Sequence, residues 1–398
     1  MMNGELIFEI TLFHIAVLII VSRCFGEVFA RLKLPAVAGE IITGILLGPA
    51  VLGLIFVNPD IKLFIALGIY FLLFFAGFEE IDLADLAKAM RLKTLVAAIM
   101  SLLVPFSIFL PFLLMYLGGE VAANILAAIV LALTSMGVVL RCVADFKITG
   151  TASGVNLVNM AMLNELFGLL AASLALEALL YPSTDEYYFL LSRSLKVIAF
   201  FFLAGLAGYY VVPSLIRKAE ELLKIREASF AVLIASILVF SYGASVAGLH
   251  GVFGALTLGF ALSTAKGDPI ISKTVQQLEG FAHGIFIPIF FAGAGLYVTK
   301  DFLALSPLAI LLLSAVIIGG KLLGGYIGSR ILLPRKISGM VALGLLAKGG
   351  VELAILPFAM VFGALTNELY SFIVVLMILM MIVSAISIRA LAAGERQA

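Results

Sequence analysis

Residues 68–77 read Gly-Ile-Tyr-Phe-Leu-Leu-Phe-Phe-Ala-Gly, and residues 284–293 read Gly-Ile-Phe-Ile-Pro-Ile-Phe-Phe-Ala-Gly. These two stretches are 216 residues apart in the chain. A second block repeats at an offset of 215 residues and matches Val37 with Val252, Gly39 with Gly254 and Gly44 with Gly259. Internal repeats of this kind determine the architecture of a chain more directly than any local pattern. The sequence therefore predicts a fold built from two related halves.

The composition indicates where this fold resides. Of the 398 residues, 63% are hydrophobic and only 12% are charged, whereas soluble domains carry about 25% charged residues. The mean hydropathy is +1.22, and the apolar runs are continuous rather than alternating, which excludes a membrane β-barrel. The composition also excludes a soluble enzyme, a disordered chain and a nucleic-acid-binding protein. We expect an all-α polytopic protein whose partner is the lipid bilayer.

A helix needs roughly 20 apolar residues to cross the hydrocarbon layer, so the apolar runs predict about thirteen transmembrane helices. Their expected ranges are 6–23, 34–56, 63–78, 94–117, 121–143, 153–180, 187–211, 228–248, 251–264, 281–298, 305–329, 337–363 and 368–389. We expect one membrane domain over residues 1–398, with the repeats in 34–180 and 251–389 and no soluble domain.

Most Lys and Arg residues fall in one set of alternate loops, for example Arg91, Lys147 and Arg335. Because basic loops stay in the cytoplasm, this pattern predicts an external N-terminus and a cytoplasmic C-terminus in a plasma membrane. The repeat pairs the second helix with the ninth and the third with the tenth. A shift of seven helices is odd, so paired helices cross the membrane in opposite directions. Inverted-topology repeats are typical of secondary transporters.

The same shift pairs the fifth helix with the twelfth, and both contain a helix-breaking stretch. Residues 133–137 read Leu-Thr-Ser-Met-Gly, and residues 348–350 read Lys-Gly-Gly. Irregular backbone at membrane depth is tolerated only where it is buried in protein or lines a site. We therefore expect two broken helices around the binding site, with Thr134 and Ser135 among its ligands.

Ionisable residues inside the membrane identify further candidates, because a charge at mid-bilayer costs at least ~2.5–3.5 kcal/mol. Glu165 lies near the middle of the sixth helix, next to Asn164. Desolvation disfavours a carboxylate anion, so such a group can exchange a proton for a cation. The alternatives are a structural salt bridge for Glu165 and a helix–helix hydrogen bond for Asn164.

Three more charged residues lie in predicted helices. Lys321 is deep in the eleventh helix, and we expect it to pair with Glu165 or to hydrogen-bond Asn164. Lys348 and Glu352 have the i, i+4 spacing at which helical residues neutralise each other, although a functional role is equally open. We assign these three residues a charge-compensating role.

Several of these stretches together resemble the monovalent cation/proton antiporter superfamily, and most closely its branch of Kef-type and bacterial and archaeal Na⁺/H⁺ antiporter membrane domains. The resemblance runs from about residue 10 to 390. It rests on residues 34–40 (Leu-Pro-Ala-Val-Ala-Gly-Glu), 72–79 (Leu-Leu-Phe-Phe-Ala-Gly-Phe-Glu), 134–135 (Thr-Ser), 320–324 (Gly-Lys-Leu-Leu-Gly) and 346–350 (Leu-Ala-Lys-Gly-Gly).

The resemblance implies a dimerisation domain, a six-helix core with two crossed, broken helices, and a homodimer whose core moves like an elevator. It also implies that Glu165 is the carrier carboxylate and that Lys321 is the cation near it. Two positions depart from the family pattern. Asn164-Glu165 stands where this branch commonly has Asp-Asp, and Lys348-Gly349-Gly350 stands where it often has Arg-Gly-Glu, with a glutamate displaced to Glu352.

The sequence thus predicts a transporter, and not an enzyme, that exchanges Na⁺, K⁺ or Li⁺ for H⁺ without an organic cofactor. Glu165 would bind the proton or the monovalent cation, with help from Asn164, Thr134 and Ser135. Exchange is expected to be electroneutral, because Asn164 cannot titrate. Two alternatives remain open, namely a Kef-type gated potassium-efflux system and a sodium-coupled symporter of organic solutes.

Overall fold

The structure is a computed structural model, and it describes residues 2–80, 89–117, 121–180, 186–225, 227–247, 249, 251–361 and 365–395. Within these ranges the regular structure is entirely helical. The helices are α1 (Met2–Arg31), α2 (Ala36–Leu47), α3 (Pro59–Phe75), α4 (Leu92–Leu117), α5 (Val121–Ala132), α6 (Met136–Asp145), α7 (Ala152–Leu180), α8 (Glu186–Leu206), α9 (Val212–Leu222), α10 (Ala228–Val246), α11 (Gly251–Ser263), α12 (Pro269–Phe281), α13 (Ile287–Leu296), α14 (Pro307–Arg330), α15 (Arg335–Gly344), α16 (Gly350–Val361) and α17 (Asn367–Glu395).

In the part of the chain that the structure describes, ten helical segments are long and apolar enough to cross a membrane. Two shorter apolar helices, α2 and α11, coincide with the second and ninth predicted helices. The broken pair α15 and α16 coincides with the twelfth. The prediction of an all-helical, multi-pass membrane protein is confirmed, whereas the number of crossings and the orientation of the termini stay predictions.

The predicted end of the second helix is wrong. The sequence suggests a helix to residue 56, but α2 ends at Leu47. Pro49 explains the difference, because a proline disfavours the helical conformation in the residue before it, here Gly48. Gly53 then takes a positive φ of 63°, which breaks the chain direction again before α3.

Two connections that the sequence suggests are polar loops are helical. A π-helical turn at Ala207–Val211 joins α8 to α9, and α9 runs to Leu222 although Pro213 lies in its first turn. The second connection precedes the tenth predicted helix. The chain there becomes helical at Pro269 rather than at residue 281. The Asp268 carboxylate caps that end of α12 by accepting a hydrogen bond from the backbone N–H of Ile270 at 2.9 Å.

The chain forms two compact units. The first comprises Met1–Leu63, Ala87–Ala175 and Pro288–Ala398, and the second comprises Phe64–Leu86 and Leu176–Ile287. All the site residues predicted from the sequence belong to the first unit. Division into two units leaves the single membrane domain a prediction.

Glycines matched by the repeat make the same kind of close helix crossing in each unit. In the first unit, a Cβ on Gly44 of α2 would lie 1.8 Å from the carbonyl oxygen of Ala292. In the second unit, a Cβ on Gly259 of α11 would lie 2.0 Å from the carbonyl oxygen of Phe74. The helices can approach this closely only because these residues lack a side chain. The repeat therefore has a packing reason as well as a sequence pattern.

Candidate ion-binding site

The two helix breaks of the first unit contact each other directly. The first break, residues 133–135, separates α5 from α6, and the second, residues 345–349, separates α15 from α16. The backbone N–H of Ser135 donates to the carbonyl of Ala347 at 3.0 Å, and the hydroxyl of Thr134 donates to the carbonyl of Leu345 at 2.9 Å. The predicted pair of broken, crossing helices is therefore confirmed.

Glycine is required where the breaks cross. A Cβ on Gly349 would lie 2.2 Å from the hydroxyl oxygen and 2.7 Å from the Cβ of Ser135. Thr134 and Ser135 are both buried. Their hydroxyl groups and the backbone carbonyls around them supply the oxygen ligands that small hard cations prefer.

Asn164 and Glu165 extend from α7 to the first break. The Asn164 amide oxygen accepts a hydrogen bond from the backbone N–H of Thr134 at 2.8 Å, and its amide nitrogen donates to the hydroxyl of Ser101 at 3.0 Å. One Glu165 carboxylate oxygen accepts from the backbone N–H of Met136 at 2.6 Å. Met136 is the first residue of α6, and the positive end of a helix dipole favours a carboxylate there. Only 7% of Glu165 is exposed.

Lys348 and Lys321 lie on the other side of the first break, at the C-terminal end of α5, where the helix dipole is negative. The Lys348 ammonium donates to the carbonyls of Val130, Leu131 and Leu133 at 3.3, 2.8 and 2.5 Å. The Lys321 ammonium donates to the carbonyl of Ala132. The last four carbonyls of a helix lack partners within the helix, so two buried ammonium groups satisfy the end of α5.

This arrangement corrects the expected hydrogen bond from Lys321 to Asn164, whereas the pairing of Lys321 with Glu165 stays a prediction. Both polar groups of Asn164 are engaged by Ser101 and Thr134, and the hydrogen bond described for the Lys321 ammonium is to the carbonyl of Ala132. The sequence indicates that the charge of Lys321 needs compensation. It does not indicate that the backbone carbonyls of a broken helix provide this compensation. Backbone carbonyls at the end of α5, rather than the side chain of Asn164, provide the acceptor.

The structure describes no hydrogen bond between Lys348 and Glu352, although the two side chains interact electrostatically, and their mutual charge compensation stays a prediction. One Glu352 carboxylate oxygen, Oε2, accepts from the backbone N–H of Gly349 at 3.0 Å, while the ammonium of Lys348 contacts α5. The i, i+4 rule holds for residues within one helix. Lys348 precedes the first residue of α16, so its side chain does not stack over that helix.

Ser101 on α4 is a site residue that the sequence analysis missed. It is buried, and its hydroxyl accepts from Asn164 and donates to the carbonyl of Ala98 at 2.8 Å. A serine inside an apolar helix was the available signal, but such serines commonly bond their own backbone. The sequence analysis also missed the backbone carbonyls of α5 that contact the two lysines, because no side-chain pattern identifies a backbone carbonyl.

Within the described residues, the first unit thus holds two acidic and two basic side chains around one crossing of broken helices. An arrangement in which half-helix ends and carbonyls meet buried charges defines a secondary transporter of small ions. A family model described as "Sodium/hydrogen exchanger, transmembrane" matches residues 15–394. The chain therefore belongs to the sodium/hydrogen exchanger family.

Curated relatives agree with this assignment. The chain is similar to a Na⁺/H⁺ antiporter of Enterococcus hirae, with 29% identity over 382 residues, covering 94% of this chain and 96% of the relative. It is also similar to the Na⁺/H⁺-K⁺ antiporter GerN of Bacillus cereus, with 27% identity and 92% coverage of both chains.

The fold is similar to that of a solved structure, the sodium proton antiporter MjNhaP1 from Methanocaldococcus jannaschii. The TM-score is 0.71 with 97% of this chain and 98% of that chain covered, at 16% sequence identity. The similarity supports the fold of the chain.

Proposed function

We propose that the protein exchanges Na⁺, K⁺ or Li⁺ for H⁺ across a plasma membrane by alternating access, with Glu165 as the group that carries either the proton or the cation. The observation that supports this role is the position of Glu165. It is a buried carboxylate at the positive end of a half-helix, at the same break as Thr134 and Ser135 and next to Asn164 in the chain. Proton and cation compete for one carboxylate, so binding of one releases the other.

Several finer features belong to the same proposal. We propose a homodimer, as the family resemblance implies, and an external N-terminus with a cytoplasmic C-terminus, as the loop charges suggest. Neither a gated efflux channel nor an organic-solute symporter is favoured by the antiporter relatives. Single-channel recording would separate a channel from an exchanger, because a channel passes many ions during each opening.

The direct test is proton movement in proteoliposomes that contain the purified protein. After a pH gradient is formed, Na⁺, K⁺ and Li⁺ are added in turn while the recovery of a pH-sensitive dye is followed. Recovery with one or more of these ions, and none with choline, is the expected result. No recovery with any of the three ions would contradict exchange.

We expect exchange to be electroneutral. Asn164 cannot bind a proton, so Glu165 exchanges one proton for one cation and no net charge crosses the membrane. A rapid cation jump on a solid-supported membrane should therefore produce no sustained current at concentrations that drive proton movement. A current that scales with the transport rate and is absent in Glu165→Gln would show that a second group, such as Lys321, also releases a proton.

Lys321 is expected to stabilise the site. Lys321→Met removes the donor to the buried Ala132 carbonyl, and an unsatisfied buried polar group costs about 1–3 kcal/mol. The chain has no Trp, so unfolding is best followed by circular dichroism in detergent. The exposed Lys300 provides the matched control, and Lys300→Met should melt like the wild type. Equal melting temperatures for both variants would rule out a structural role for Lys321.

A further inference from the structure

The ammonium of Lys348 is held as a bound monovalent cation would be held. Three backbone carbonyl oxygens, from Val130, Leu131 and Leu133, lie 3.3, 2.8 and 2.5 Å from its nitrogen. Two belong to the last turn of α5 and the third to Leu133, the first residue of the break, where the helix dipole is negative. Unwound carbonyls and half-helix C-terminal ends are the groups that coordinate small cations in transporters. We call these three carbonyls the α5 carbonyl cluster.

One carboxylate oxygen of Glu352 has room for a further hydrogen bond. The residue is 1% exposed, and its Oε2 accepts from the N–H of Gly349. Its other oxygen, Oε1, has no hydrogen-bond partner among the residues that the structure describes. Buried polar atoms without a partner are rare and costly. A partner for this oxygen is therefore expected in another state of the site.

The side chain of Lys348 can supply that partner. The Glu352 carboxylate is bonded to the N–H of Gly349, which is the residue directly after Lys348. A lysine side chain is long, flexible and able to donate in three directions. The ammonium therefore has two alternative acceptors, the α5 carbonyl cluster and Oε1 of Glu352.

The other charges near Lys348 also affect this choice. Lys348 interacts electrostatically with Glu165 on α7 and with Lys321 on α14, as well as with Glu352. A cation at the α5 carbonyl cluster would repel the ammonium of Lys348. Movement to Glu352 would then place the entering cation on the carbonyl oxygens and the ammonium on a carboxylate, so that the two cations no longer share one set of acceptors.

We propose that the α5 carbonyl cluster is a monovalent-cation site, that Lys348 fills it when no cation is bound, and that Glu352 receives the ammonium when a cation enters. The inference rests on the proposed function, because the cation is the one that competes with the proton for Glu165, and the α5 carbonyl cluster gives that cation further ligands across the first break. Lys348 then acts as a tethered competitor of that cation. Glu352 acts as a positioning residue, because it influences the cation through Lys348.

The test measures binding of Na⁺ to the purified full-length protein, by titration of its melting temperature with NaCl against choline chloride. Lys348→Met removes the competitor and should tighten Na⁺ binding roughly five- to tenfold, whereas Glu352→Gln removes the alternative acceptor and should weaken it by a similar factor. In the double variant, the glutamine should have little further effect, because no ammonium remains to be moved.

The opposite signs of the two single variants distinguish this mechanism from a structural role, which would weaken binding in both. Shifts in the same direction, unchanged affinity in either variant, or additive effects in the double variant would overturn the proposal. Where Lys348→Met does not yield folded protein, Lys348→Gln serves instead, and it should tighten binding less because its amide still donates to carbonyls. Glu352→Asp serves in the same way for the acidic residue.

Failure of the exchange function would look different. It would appear as missing Na⁺-driven proton movement in the wild-type protein. Failure of this inference would leave wild-type transport intact while the opposite binding shifts of the two variants are absent.

Discussion

Glu165→Gln is expected to reduce cation-driven proton movement to the level of protein-free liposomes while the protein stays folded. Glutamine has nearly the same shape, and its amide oxygen can still accept from the N–H of Met136, which Glu165 contacts at 2.6 Å. It cannot bind a proton or balance the charge of a bound cation. Both halves of the exchange cycle are therefore lost at once. The measurement is dye recovery in proteoliposomes on addition of Na⁺, K⁺ or Li⁺.

Glu279→Gln is the matched control for this variant, because Glu279 is an exposed carboxylate on α12. It should transport at the wild-type rate. Unchanged circular dichroism and melting temperature in Glu165→Gln would show that the loss is not a folding defect. Exchange at the wild-type rate in Glu165→Gln would contradict the assignment, and Glu352 would become the next candidate carrier.

Gly349→Ala is expected to have the largest effect on stability. Its new Cβ would lie 2.2 and 2.7 Å from the hydroxyl oxygen and Cβ of Ser135, which is closer than atoms in contact can approach. Overpacking of this kind typically costs about 1–3 kcal/mol, and the displaced backbone also carries the hydrogen bond between Ser135 and Ala347. We expect a clear fall in the melting temperature and in the yield of monodisperse protein.

Two further variants make this prediction specific. Gly339→Ala on α15 introduces the same methyl group into open space, because no atom lies within 4 Å of the new Cβ position, and it should behave like the wild type. Ser135→Gly removes both clashing atoms and should restore much of the stability lost in Gly349→Ala. Absence of that rescue would indicate that the two breaks do not cross as described.

The charges of the site follow from how a broken helix exposes its ends. At the first break, the positive end of α6 contacts Glu165, and the negative end of α5 contacts Lys348 and Lys321. Each charge is placed where the adjacent dipole favours it. Under the proposed function, a cation that enters the site displaces the proton of Glu165, and under the further proposal it also displaces the ammonium of Lys348.

Much of the candidate site could be predicted from the sequence. The low charge content required membrane helices, and within them a buried carboxylate at Glu165 had to be paired or functional. Thr134, Ser135 and Gly349 interrupt two long apolar runs, and only a protein-lined site tolerates such breaks at membrane depth. The internal repeat then pairs the two breaks. These are properties of residue type and spacing, which the sequence contains directly.

The partners of Lys321, Lys348 and Glu352 were decided only by the tertiary structure. Their acceptors and donors are backbone groups, namely the carbonyls of residues 130–133 and the N–H of Gly349. Every residue carries these groups, so no pattern of side chains can indicate which ones a fold leaves without a partner. The sequence by itself determined where the charges and breaks lie, and the crossing of the two breaks determined which helix end each charge satisfies.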